Sequence, residues 1–122
     1  MTEKNPHIIV SPFQGRVRVI SAGYLIADSK NAVALTEQGY HTVYYLPKRE
    51  IRMELFVPSA KQTVCPHKGM ASYWSLETAN AVIEDAAWSY EHPHADVAAI
   101  AGMLAFSPEK IDAIEATSAV PG

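Results

Sequence analysis

The densest run of reactive side chains is Cys65-Pro66-His67-Lys68-Gly69-Met70-Ala71-Ser72-Tyr73, which gathers a thiol, an imidazole, an ammonium and a phenol. A cation near a thiol favours the thiolate, so Lys68 could activate Cys65 as a nucleophile or itself stabilise developing charge. Gly69 would let the backbone approach a ligand or take a positive φ. The plainer alternative makes Cys65 a small buried hydrophobe and Lys68 a solvated charge. His67 lies two positions from Cys65 and, if the segment is extended, points the other way, which counts against an internal Cys–His pair.

A second signal runs through residues 81–90. Regular alternation puts Glu84, Trp88 and Tyr90 on one strand face with Val82 and Ala86. Aromatic surface with one orienting carboxylate suits a pocket wall for an organic ligand. Equally, the rings belong to the core and Glu84 to the sheet edge. Tyr73 and Trp74 point to opposite faces of their strand, so either both faces are partly covered or one ring lines a cleft. Arg16 and Arg18 share a face of the first strand with Ile20, where paired guanidinium groups clamp a carboxylate or phosphate or form the wet side of a sheet.

Other chemistry finds little support. The pairs Cys65/His67 and His92/His94 are the sole hint of a zinc site, and without a Cys-x-x-Cys no metal is expected; no cofactor is implied. Glycine-rich phosphate loops, a Gly-x-Ser-x-Gly elbow and a His-Glu-x-x-His pair are all missing from the sequence.

These side chains must be held by one domain. With 122 residues, 48% apolar and 19% charged, the chain suits a single compact globule. The expected division is an arm over residues 1–14, a β-rich domain over 15–116 and a flexible tail over 117–122. A net charge of −3 exerts no pull on nucleic acid or anionic membrane, so neither is an expected partner. The start lacks a secretory pattern and no apolar stretch is long enough to span a membrane, which together with one free thiol points to the cytoplasm.

Period two dominates the elements. Val17 and Val19 alternate with the arginines, and Ala22-Gly23 supplies a tight turn into residues 24–27. Residues 31–37 suit helix or strand, and 41–46 read as a strand closed by Pro47. A short helical turn follows at 48–51, then a strand with Met53, Leu55 and Val57 alternating until Pro58-Ser59, and a loop to Gly69. Residues 71–76 and 81–90 form a strand pair, and 111–115 a last short strand. Val97, Ile100, Ala101 and Leu104 recur at helical spacing and predict one C-terminal helix. About seven short strands and this helix make a mainly β, α+β domain.

Arg16-Val17-Arg18-Val19, Val43-Tyr44-Tyr45-Leu46-Pro47, Cys65-Pro66-x-Lys68-Gly69-x-Ala71-x-Tyr73, Ala87-Trp88-x-Tyr90-x-x-Pro93 and Ile100-Ala101-Gly102-x-x-Ala105-Phe106 occur in this order. Together they resemble the domain of unknown function 427 family over roughly residues 15–115. The resemblance implies a β-tent-like domain of two inclined antiparallel sheets with a ligand-sized cleft between them. It places Tyr45, Pro47, Cys65 and Pro66 around that cleft, together with Lys68, Gly69, Tyr73, Trp88 and Tyr90. His67 departs from the aromatic expected between Pro66 and Lys68. The family is sometimes labelled nucleotidyltransferase-like, yet this sequence holds no Gly-Ser pair with paired aspartates for two Mg²⁺ ions.

The leading expectation is binding of a small organic molecule between rings, with Lys68 and Glu84 supplying polarity. The alternatives are a small transferase or hydrolase using Cys65 and Lys68, and a homodimeric protein-interaction domain.

Overall fold

The computed structural model describes residues 8–119; the remainder of the expected arm and tail lies outside the described residues. Strand β1, Ile8–Pro12, falls within the segment expected as an arm, and instead pairs with a strand of the domain. The alternating valines then build β2, Gly15–Ser21, and the Ala22-Gly23 turn leads into β3, Tyr24–Ser29. The segment open to either reading is a strand, β4, Val33–Glu37, and β5 is short, Val43–Tyr45. Two 3-10 turns follow, Lys48–Glu50 and Met53–Leu55, so Met53 and Leu55 are not strand residues as expected.

Strand β6 then runs from Phe56 to Cys65, through the Pro58-Ser59 pair expected to stop it. It tolerates Pro58 because it lies at a sheet edge and its pairing register shifts between Pro58 and Gln62. Strands β7, Gly69–Glu77, and β8, Val82–Ser89, follow as expected. The last two strands are β9, Leu104–Phe106, and β10, Ala113–Ser118, which reaches into the expected tail.

The C-terminal helix is a correction. Residues Ala95–Ile100 form 3-10 turns broken at Val97, which has φ −125° and ψ 30°, and Leu104 belongs to β9. Val97 and Ile100 are buried all the same, because a spacing of three fits a 3-10 turn as well as an α-helix. Gly102, at φ +71°, then reverses the chain so that Leu104 meets Ser89 on β8.

Among the described residues, ten strands make three antiparallel sheets, not two: β1-β4-β5, β10-β2-β3 and the four-stranded β6-β7-β8-β9. Period-two alternation in the four-stranded sheet feeds two separate cores. Trp74, Leu76, Leu104 and Phe106 join the cluster with Val17, Val19 and Ile26 of the β10-β2-β3 sheet. Ala71, Tyr73 and Ala105 face the other way, toward Leu35 and Tyr45 of the β1-β4-β5 sheet. The second core is incompletely filled at one end, and the candidate site opens there.

Candidate functional site

The cleft has a volume of about 450 Å³. Leu35, Glu37, Val43 and Tyr45 line it from β4 and β5, while Lys61, Tyr73, Asp85 and Trp88 line it from β6, β7 and β8. Lys68 in the β6–β7 turn and Tyr90 just beyond β8 complete the floor. Sheet pairing explains why the rings meet, since Tyr73 and Trp88 are register partners on adjacent strands.

Hydrogen bonds fix several walls. The Trp88 indole N–H donates to the Tyr45 hydroxyl at 3.2 Å, bridging the facing sheets. Tyr45 and Tyr90 are 1% and 7% exposed, with ring centroids 6.4 Å apart. Burial pushes the Tyr45 phenol up to about 12 and raises that of Tyr90 as well, so both hold their protons at neutral pH. Tyr73 shares a hydrogen bond of 3.0 Å with the Thr63 hydroxyl, and the Lys61 ammonium sits 4.6 Å from its ring centroid.

Lys68 is positioned by its turn. Its backbone N–H donates to the Cys65 carbonyl, and its own carbonyl accepts from the His94 N–H, docking the hairpin end on the His92-Pro93-His94 segment. Gly69 has φ +117° and stands 3.4 Å, at its would-be Cβ, from the His92 carbonyl. The Lys68 side chain, 13% exposed, ion-pairs with Glu37 Oε1 at 3.3 Å and donates to Cys65 Sγ at 3.6 Å. Cys65 is half-buried, packed against the second core.

The family model for the domain of unknown function DUF427 matches residues 9–117. The chain belongs to this family. No curated protein matches the chain.

Of the positions that DUF427 membership suggested for the cleft, Tyr45, Lys68, Tyr73, Trp88 and Tyr90 are brought together around it. Others are not. Pro47 is buried at the start of the Lys48–Glu50 turn, and Gly69 shapes the hairpin without lining the cavity. Arg18 lies on the β10-β2-β3 sheet, in a different hollow with Arg16 and Lys30. There Arg16 is already engaged by a two-point pair with Asp28.

Glu84 is exposed and outside the cleft, and its neighbour Asp85 takes the inward place. The cause is a bulge: Ile83 pairs with Leu76 but Ala87 with Trp74, and Asp85 sits at φ 53°. Trp88 and Tyr90 lie beyond the bulge, which is why their shared face survives while that of Glu84 does not.

Glu37 and Lys61 went unread because they fall in segments whose strand character was ambiguous or missed. For Asp85 the one available signal was its type, since aspartate tolerates positive φ better than most residues. Among the described residues no helix is long and apolar enough to cross a membrane, and no group of three or more His, Cys, Asp or Glu could hold a metal ion.

Proposed function

We propose that this DUF427 domain binds a small, flat organic molecule in the cleft between the β1-β4-β5 and β6-β7-β8-β9 sheets. The observation that carries this reading is convergence: four rings, Tyr45, Tyr73, Trp88 and Tyr90, from different elements face one cavity beside the Lys68–Glu37 pair. Aromatic walls with a few fixed polar groups are what a small-molecule site needs. The volume of about 450 Å³ suits such a ligand. A nucleophilic role for Cys65 would require a base, and the thiol's hydrogen-bond partner among the described residues is the Lys68 ammonium, itself a donor.

A thermal-shift screen of a small-molecule library on the full chain tests the reading. A true ligand at about 100 times its Kd adds about 2.7 kcal/mol of stability. Trp88→Ala removes a wall and the anchor of Tyr45, and is expected to cost about 2 kcal/mol or more of that binding. Equal shifts in wild type and Trp88→Ala for every hit would place binding elsewhere and overturn the proposal.

A further inference from the structure

The floor of the cleft carries two phenolic protons with no acceptor among the described residues. Tyr90 is buried, yet its hydroxyl makes no hydrogen bond to any described residue. The polar side-chain atoms sealed from solvent without a partner among the described residues are Arg18 Nε and Ser21 Oγ. The Tyr90 oxygen is not one of them, so it reaches the cleft that its residue lines. Tyr45 is half-satisfied: its oxygen accepts from the Trp88 N–H, which leaves its own proton undirected to any described acceptor. Two phenolic protons that face one cavity and are committed to no described residue are available to an acceptor inside it.

Charge decides what kind of acceptor fits. The cleft is lined by three lysines, Lys61, Lys68 and Lys110, and by three carboxylates, Glu37, Asp85 and Glu109. The deepest lysine, Lys68, is matched to Glu37 at 3.3 Å. The lysines and carboxylates of the cleft thus balance in number, and its deepest ammonium is already paired. Neutral O–H donors aimed into a charge-balanced, ring-walled site suit a neutral oxygen acceptor.

We propose that Tyr90 and Tyr45 recognise an uncharged carbonyl oxygen on a flat organic ligand, an amide or ketone lying against Tyr73 and Trp88. This specificity rests on the cleft being the binding site, as proposed above. Both phenols are donors at neutral pH, and burial, which raises them above their ordinary value, extends that to alkaline pH.

Four probes of one size separate the chemistries: benzamide, benzoate, benzylamine and toluene. Each is titrated into ¹⁵N-labelled full-length protein, with the Trp88 indole N–H as reporter, in wild type and in Tyr90→Phe. Benzamide is expected to bind tightest and to weaken about fivefold in Tyr90→Phe, the loss of one neutral hydrogen bond. The same substitution is expected to leave folding unchanged, because the hydroxyl has no partner to lose. Should the variant fail to fold, wild type labelled with ¹³Cζ-tyrosine gives a second reading, in which the Tyr90 signal moves with benzamide.

Benzoate, benzylamine or toluene binding as tightly as benzamide would overturn the carbonyl assignment. Equal benzamide affinity in wild type and Tyr90→Phe, or an unmoved Tyr90 signal, would overturn it too. Both results leave the cleft a binding site. If none of the four probes moves the Trp88 signal, the binding reading falls together with this one.

Discussion

Asp85 and Ala22 are the non-glycine residues at positive φ among the described residues, and they tolerate it on different grounds. Asp85 has local partners: its N–H donates to the Ser75 hydroxyl, and its carboxylate accepts from Ser59. Ala22 has no side chain to engage, and the turn is held from outside. Its N–H donates to Asp112 and its carbonyl accepts from Asn80. At φ 53° an alanine Cβ is strained by about 1 kcal/mol, which glycine avoids. Ala22→Gly is therefore expected to raise unfolding stability by about that amount in urea titration. A loss of stability would mean the strain reading is wrong. The Ala22-Gly23 pair announced its turn in the sequence, whereas the Asp85 bulge left no mark in a run of alternating residues. That one bulge is why Glu84 was read into the site and Asp85 was not.

Among the elements, the β6–β7 hairpin end matters most, because it brings Lys68 to the cleft. The sequence showed the reactive residues of this segment but not its strand character, since Pro58 and the polar run to Thr63 resemble a loop. An edge strand can carry both, as its outer side has no ladder partner to satisfy. The Val97–Leu104 stripe misled in the opposite way: its burial was legible and its geometry was not, because period three serves two helix types. Gly69 is the hinge of the hairpin's seat on the His92-Pro93-His94 segment. Gly69→Ala places a side chain at φ +117°, where the backbone strain rather than the 3.4 Å contact with the His92 carbonyl is expected to destabilise the fold by about 1–3 kcal/mol. It should also weaken ligand stabilisation by moving Lys68. An unchanged melting temperature would show that this seat does not constrain the hairpin.

For the molecule as a whole, the four-stranded sheet ties both cores together, and the mainly β character followed directly from period-two patterning. The number of sheets did not, because alternation assigns residues to faces and says nothing of which strands share a ladder. The resemblance carried further, since Tyr45, Tyr73 and the Trp88/Tyr90 pair lie far apart in sequence and nothing local links the three. Acid stability is a property at this scale. Burial alone would raise the Glu91 carboxyl, but hydrogen bonds from the Ser89 hydroxyl and the Lys48 ammonium outweigh it and hold it below the usual range. The Arg16 guanidinium does the same for Asp28, with hydrogen bonding the larger cause. A carboxyl whose folded pKa is depressed contributes stability above its unfolded value, near pH 4, and loses it as pH falls through the folded value. Denaturant midpoints are thus expected to drop below about pH 4. Glu91→Gln should flatten that drop, and an acid limb as steep as in wild type would remove Glu91 from the account.

The chain's two tryptophans give a direct internal comparison. Trp74 faces the first core, its N–H donating to Ser89, whereas Trp88 lines the cleft. The deciding measurement is the pair of indole N–H signals in ¹H–¹⁵N spectra of the full-length protein during a titration with each thermal-shift hit. The account predicts saturable movement of the Trp88 signal while that of Trp74 stays in place. Movement of Trp74 alone, or of neither, would contradict it.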